Sequence, residues 1–423
     1  MGFRTKYGSL GFGWEASYAT VAAAFQYVPA EFEQPELGRV TQDMNRYAQQ
    51  FGGNQPPIVG GKDSSGTVTF NMSLEAFVKT YDPVIAGNQP GDAGVIGSVP
   101  VLLGMATGSG NASIVNHATM IAGAGLSLTA SVIGDVAGVP APTTIPYTGG
   151  TWAEGQYVIA GDAATDYQTG WPYLDAGNVL TLDNAAQNTA IAGEDIYGTA
   201  VAYLNNSEHP PITLRWTGEG ASFAVDFLGC KNISGFIDVQ SGQVPTVSLT
   251  YEYSGYDFPG VGGEIQAPSL FAEVPALGSK DAGRLLVDGV SAALRDFRLE
   301  WDSPAHKEQN HNMPYGFDRK VGDRMFSMTF GSRWIAADVI ALGENPWSTR
   351  FVNGTQVSVE MEIGDTLGRF FAMRAPQWVV AEQTQLEDGD LMQYNTVKLI
   401  PNYYEGDNGT TAPANVPLAL AWG

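Results

Sequence analysis

Several stretches of the chain alternate apolar and polar residues with a period of two, and each reads as a strand with one buried face. From Gly66, the run TVTFNMSL sets Val68, Phe70, Met72 and Leu74 on one side and Thr67, Thr69, Asn71 and Ser73 on the other. LRDFRLEW sets Phe297, Leu299 and Trp301 against Arg298 and Glu300. VSVEMEI sets Val357, Val359, Met361 and Ile363 against Ser358, Glu360 and Glu362. Successive side chains of a pleated strand point to opposite faces, so these runs predict one-sided strands whose outer faces are wet.

The longest such pattern, Ser222 to Gly255, holds two strand-like runs joined across a turn, and a second copy runs from Phe370 to Gly406. Phe223, Ala224 and Val225 align with Phe371, Ala372 and Met373. The turn glycines Gly242 and Gly389 and the tyrosines Tyr253 and Tyr403 follow once small gaps are allowed. Upstream, Gly66, Phe70, Met72 and Leu74 fall against Gly322, Phe326, Met328 and Phe330 at one constant offset. Self-similarity of this kind predicts a mainly β chain of two tandem domains.

The segments between the strands divide the chain. Residues 1–60 lack regular periodicity and read as an N-terminal arm leading into the first domain, whose core is carried by 61–81 and 211–257. Residues 82–210 read as a large insertion, because no lysine or arginine occurs between Tyr81 and Leu214 while acids recur, and the matching gap in the second half is much shorter. Within it, Ala118 to Gly134 is apolar but dominated by small residues and lacks flanking bases, which favours a buried helix, a strand pair or a subunit contact over a membrane span. Residues 258–283, rich in proline and glycine, read as a linker, and 284–423 as the second domain. The polar run SPAHKEQNHNMPYGFDRKVG is longer than a tight hairpin requires and reads as a contact loop.

Composition narrows the partners. Of 423 residues, 44 are acidic and 21 basic, a formal net charge of -23. Such a surface repels nucleic-acid phosphates and anionic membranes, so specific DNA or RNA recognition is not expected. One cysteine, Cys230, rules out an intrachain disulfide and a Cys-rich zinc site. The start, MGFRTKYGSLGFGW, has no continuous apolar core of a secretory signal, and synthesis in a cytoplasm is expected.

No catalytic constellation emerges. His306 and His311 with Asp302, Glu308 and Asp318 come nearest to a metal cluster, but the spacing is not that of the helical His-Glu-x-x-His motif. Glu387, Asp388 and Asp390 lack the alternating ligands of a calcium loop and suit a hairpin turn. Cys230 has no histidine near it in sequence and reads as a structural thiol at a strand end. The cluster GMATGSGN from Gly104 lacks a phosphate-loop ending, and Gly108 with Gly110 is a fragment of a dinucleotide fingerprint. No catalytic, cofactor or metal residues are therefore expected, and no enzyme activity.

The amino-terminal EASYAT, the GTVTFNMSL strand, the stretch GASFAVDFLGCKNISGFIDVQSGQVPTVSLTYEYSG and the shorter second-half version ending in PNYYEG together resemble the tail tube proteins of long-tailed bacteriophages. The resemblance covers most of 1–81 and 212–423 and leaves the insertion unexplained; Ala19 departs from it, standing where the family often has glycine. It implies two tail-tube-like β-sandwich or barrel domains, each lending strands to a barrel shared around a ring. Two domains per chain imply trimeric rings with pseudo-six-fold symmetry, stacked into a tube in a virion tail, through which DNA transits without specific binding. Tape measure, tail tip and tail terminator proteins are the implied partners, and the insertion a candidate decoration domain. The long loop and the N-terminal arm are expected to reach the adjacent ring. Another ring-forming tail or baseplate protein, or a surface or glycan-binding β protein, are the alternatives.

Overall fold

The structure is a computed structural model that describes residues 8–23, 25–33, 65–78, 211–218, 224–240, 242–259, 283–288, 290–307, 325–333, 346–366, 369–383, 394–401 and 418–422, with short strands at 41–42, 58–59, 319–321 and between 114 and 204. In chain order the first half contributes β1 (Gly8–Trp14), β2 (Gln26–Glu33), the paired β3 (Thr41–Gln42) and β4 (Ile58–Val59), β5 (Gly66–Ser73) and a short helix α1 (Leu74–Val78). The predicted insertion holds β6 (Ile114–Val115), β7 (Ser131–Ile133), β8 (Thr144–Thr148), β9 (Val158–Ala160), β10 (Gln168–Gly170), β11 (Pro172–Asp175), β12 (Val179–Leu182), β13 (Asp195–Gly198) and β14 (Ala200–Leu204). Then come β15 (Ile212–Gly218), β16 (Ala224–Gln240), β17 (Thr246–Tyr253) and β18 (Gly255–Asp257). The second half contributes β19 (Gly283–Val287), β20 (Val290–Asp302), a ribbon of β21 (Ala305–Lys307) and β22 (Arg319–Val321), β23 (Met325–Arg333), helix α2 (Pro346–Asn353), β24 (Val357–Thr366), β25 (Arg369–Gln383), β26 (Tyr394–Pro401) and β27 (Leu418–Trp422). The fold is mainly β, as the period-two runs predict.

Six strands of the first half close on themselves in the order β15–β1–β2–β5–β17–β16 and back to β15, all antiparallel. Six strands of the second half do the same in the order β24–β19–β20–β23–β26–β25 and back to β24. Strand for strand the pairings correspond, with β19, β20, β23, β24, β25 and β26 standing where β1, β2, β5, β15, β16 and β17 stand. Closure pairs each of these strands with a neighbour on both sides along part of its length, which hides edges that would otherwise be open.

Each circuit closes because one long strand serves two sheets. The first part of β16 bonds β15 and its later part bonds β17; β25 treats β24 and β26 in the same way. The bend falls at matched irregularities: the β15–β16 register slips between Ile212 and Leu214, and the β24–β25 register between Val357 and Val359. A bulge adds twist and lets a strand change direction. At Gly229, in the first of these bends, φ is +62° and a Cβ would sit 3.0 Å from the Tyr18 ring, so only glycine fits.

The inward positions form one apolar cluster spanning both circuits. In the first, Phe32 stacks on Trp216 at 5.0 Å and on Phe70 at 5.5 Å, and Phe227 tilts onto Tyr253 at 5.0 Å. In the second, Phe297, Leu299, Met328, Phe330, Met361 and Phe371 are buried. The registers refine the alignment read from the sequence. Phe70 faces Phe32 and Phe330 faces Phe297, so Phe330 rather than Phe326 is the counterpart of Phe70. A slip of four residues keeps the same faces inward, which is why the pattern alone does not detect it.

Four further expectations change. Residues 8–33 of the N-terminal arm supply β1 and β2 to the first circuit, so that part of the arm is barrel wall. The long run after β20, expected as a loop, carries the β21–β22 ribbon. Cys230 lies within β16 rather than at a strand end, buried, with its thiol directed at the Phe227 carbonyl. The insertion builds its own seven-stranded sheet, in the order β10–β9–β13–β7–β8–β12–β11, but its last strand, β14, leaves that sheet and pairs with β27 on the edge of the second circuit. The expectation for Ala118 to Gly134 lies mostly outside the described residues; Ser131–Ile133 is strand. Among the described residues no helix is long and apolar enough to cross a membrane.

Candidate assembly surface

Eight strands, four from each half, form one continuous antiparallel surface in the order β2–β5–β17–β16–β20–β23–β26–β25. Alternation sends Val68, Phe70, Val247, Leu249, Ile237, Leu299 and Met328 into the core, and the opposite face is mainly polar, interrupted by Phe236 and the exposed Met325 and Ile400. That face presents hydroxyls and amides from β5 and β17, with Thr69 Oγ1 and Thr250 Oγ1 3.0 Å apart. Across the middle it presents Asp238, Asp296, Glu300 and Asp302, and at its ends Glu31 and Glu382. Its bases are tied down: Arg298 bonds Glu300 and lies 4.0 Å over the Phe236 ring, and Lys398 is 3.6 Å from Glu382. Glu252 stands opposite Lys231 across the β16–β17 pair. The face is mainly hydrophilic and biased negative.

The two circuits meet in the centre of this surface, where Ser234–Gln240 of β16 pairs with Asp296–Asp302 of β20. The seam is a built joint. Trp301, from the second half and 3% exposed, lies over Gly235 of the first, where a Cβ would be 2.4 Å from the indole ring and 2.7 Å from the Ser248 carbonyl oxygen. The Trp301 indole N–H donates to Asn232 Oδ1 at 2.8 Å, and the Asn232 amide donates to the carbonyls of Ser234 and Thr250. On the polar side, Asp238 sits directly opposite Arg298.

The matched topology gives each side of this joint a counterpart. Glu31 and Phe32 of β2 stand where Asp296 and Phe297 of β20 stand, and Glu382 of β25 where Ser234 of β16 stands. In the seam these positions bond strands on both sides. At the counterparts, among the described residues, Glu31–Glu33 pair with β5 alone and Glu382–Gln383 with β26 alone. Among the described residues the eight-stranded surface therefore ends in two edges with no further ladder partner, one in each half, related as the two sides of its own seam are.

Away from the polar face, the start of EASYAT fixes the turn after β1. Glu15 is buried, its Oε1 accepting from the Gly229 N–H at 2.7 Å and the Thr213 hydroxyl at 3.0 Å. Oε2 is buried with no hydrogen-bond partner among the described residues. Burial pushes its carboxyl up to about 7, against the pull of the Gly229, Thr213, Ala19 and Thr20 hydrogen bonds. Tyr18 bonds Ser254, and Ala19 takes φ +55° in the left-handed region. In the second circuit Asp288 accepts from the Ser358 N–H at 2.8 Å and pairs with Arg350 at 2.5 Å.

The outer face of β24 is not wet as its alternation predicts. Glu360 and Glu362 are 3% and 1% exposed, held by Arg374 at 3.7 Å and by Arg284 through two hydrogen bonds. In the first circuit Arg215 holds Asp226 with two bonds of 2.6 and 2.7 Å, under the Phe25 ring. Arg215 and Asp226 occupy the places of Glu360 and Arg374, so the same cross-strand pair appears in both halves with its charges exchanged.

Among the described residues no group of three or more His, Cys, Asp or Glu is placed to hold a metal ion. Asp302 lies on the polar face at the end of β20, and His306 stands opposite Lys320 in the ribbon. His311, Glu308, Asp318, Glu387, Asp388, Asp390, Gly104, Gly108 and Gly110 lie outside the described residues. The seam residues Asn232 and Gly235 went unrecognised in the sequence, since their meaning depends on a tryptophan of the other half. No family model matches the chain, and no curated protein matches it.

Proposed function

We propose that the chain is a structural virion protein that polymerises into stacked rings forming a phage tail tube, a conduit for DNA. The observation that carries this reading is the eight-stranded surface with an acid-biased, mainly polar face that ends, among the described residues, in two edges related like its own seam. If the Glu382 edge of one copy pairs with the Glu31 edge of the next as β16 pairs with β20, the contact is head-to-tail and closes into a ring. The two circuits then act as tandem tube domains.

Three copies bring about 24 strands around the ring. At about 4.8 Å per strand the circumference is about 115 Å and the backbone diameter about 37 Å, more if the strands tilt. Side-chain layers of about 5 Å leave a lumen of roughly 27 Å, enough to admit a DNA duplex. With the polar face inward, its carboxylates repel passing phosphates, so the wall does not hold the DNA. The insertion's separate sheet serves as a decoration outside the ring, and the tape measure, tail tip and terminator proteins are the expected partners.

Negative-stain electron microscopy of the purified protein at rising concentration tests this reading. Hollow rings or tubes are expected. Dispersed single chains at every concentration, with and without added tail-tip extract, contradict it.

A further inference from the structure

The last strand of the insertion pairs far from the strands that bracket it in the chain. The insertion leaves the first circuit after β5 and α1 and re-enters it at β15, yet β14 pairs with β27 over five residues, from Ala200↔Trp422 to Leu204↔Leu418. β27 in turn pairs with Phe371–Arg374 of β25. In the second circuit β25 stands three strands from β20 by either way round, so β14 lies beyond the side opposite the seam. β15 is separated from the seam by β16 alone.

From β14 to β15 through β27, β25, β24, β19, β20 and β16 there are seven ladder steps, about 34 Å of sheet at about 4.8 Å each. Leu204 and Ile212 are eight residues apart, and a fully extended chain of that length reaches about 26–29 Å. Pairing within one chain therefore holds only by cutting across the second circuit with little slack. In the proposed ring, β25 of one copy lies beside β2 of the next, and in that circuit β1 and β15 follow β2. From β14 through β27 and β25, then the next copy's β2 and β1, to its β15 there are five steps, about 24 Å and within the connector's reach.

We infer that β14 is exchanged between neighbouring copies: in the ring, the β27 edge of one chain is completed by β14 from the insertion of the next, and the insertion clasps two subunits together. This rests on the ring reading and gives its joint a second bond. Exchange preserves the ladder and the burial of Leu418, Ala419, Leu420 and Ala421, so a chain loses no contact by taking the strand from a copy. A connector that is short for its span favours such swapping, because exchange relieves it. The first half shows that the circuit itself does not require the added strand. There β18 pairs with the early part of β16 as β27 pairs with that of β25, and among the described residues no further strand follows it.

Paired cysteines test the exchange. Val201 stands opposite Ala421 and Ala202 opposite Leu420, so one of these neighbouring pairs is of the closer, non-hydrogen-bonded kind, within the span a disulfide bridges. The full-length variants Val201→Cys/Ala421→Cys and Ala202→Cys/Leu420→Cys are assembled, checked for rings by negative-stain electron microscopy, oxidised and run on a denaturing gel without reductant. Wild type, whose one cysteine is the buried Cys230, is the control, and circular dichroism reports folding. Rings are expected to give covalent species of two and three chains. In case two substitutions in one ladder weaken folding, the single variants Val201→Cys and Ala421→Cys are mixed before assembly. A disulfide between the two kinds of chain is expected, which pairing within one chain cannot give. Rings whose chains bond only within themselves, or whose introduced thiols stay free, overturn the exchange and leave the ring reading standing. No rings from any folded protein, wild type included, overturns both.

Discussion

At the scale of single residues, the turn after β1 decides how the first circuit is capped. Ala19 holds φ +55°, a conformation that costs a residue with a Cβ about 1–2 kcal/mol, while glycine adopts it without that strain. Part of the relief is offset by the greater unfolded-state entropy of glycine, so Ala19→Gly is predicted to stabilise the chain by about 0.5–1 kcal/mol, read from the urea unfolding midpoint. Glu15 gives a pH prediction with a definite sign. Its folded value of about 7 lies above its ordinary 4.5, so the folded state binds the proton more tightly and its contribution is greatest below pH 4.5. That contribution is lost as pH rises through 7, by about 3 kcal/mol in all. Glu15→Gln keeps the acceptor to Gly229 and is expected to lose less stability than wild type between pH 5 and pH 8; an equal loss in both would remove Glu15 as the cause. The sequence analysis singled out the turn at Ala19, and the structure gives that residue a left-handed backbone. The burial of Glu360 and Glu362 was not legible there, because period two identifies the core face and is silent on what covers the other. Their partners are Arg374 and Arg284, the latter 78 residues away in the chain.

At the scale of elements, the alternating runs around Phe70, Leu299 and Met361 gave the strands and their inward faces correctly, since burial on one side is a local property of spacing. Register was less legible. A slip of four between β5 and β23 leaves every apolar residue facing inward, and only the hydrogen-bonded partners reveal it. The seam between β16 and β20 was invisible for a similar reason, as Gly235 in a strand interior signals a close approach without naming what approaches. Its energetics are open to measurement. Gly235→Ala drives a Cβ into Trp301 and the Ser248 carbonyl and is predicted to destabilise by about 1–3 kcal/mol. Trp301→Ala is predicted to lose about 3–5 kcal/mol and to leave Asn232 Oδ1 without its donor. Because both act at one contact, the double variant should lose less than the sum in chemical denaturation. Strict additivity would mean that the two residues do not share a seam. The exchanged pair, Arg215 with Asp226 against Glu360 with Arg374, has a consequence at the same scale: the two halves cannot trade strands here without placing like charges together in a buried position.

At the scale of the whole molecule, closing each half into a circuit pairs most of its strands on both sides, and the eight-stranded surface ends, among the described residues, at β2 and β25. The length of the chain, its repeat and its acidity were open to reading from composition and pattern. The continuity of four strands from each half into one polar face was not, because it depends on how two circuits abut. The central claim is that copies join through β2 and β25 as β16 joins β20, with the polar face turned to a lumen. High-resolution electron cryomicroscopy of the assembled protein tests it most directly. The account predicts rings of three chains with six-fold pseudo-symmetry, ladder hydrogen bonds between the Glu31 edge of one chain and the Glu382 edge of the next, and Asp238, Asp296 and Glu300 lining the bore. Rings in which those edges stay open, or in which Asp238, Asp296 and Glu300 face outward, would contradict it.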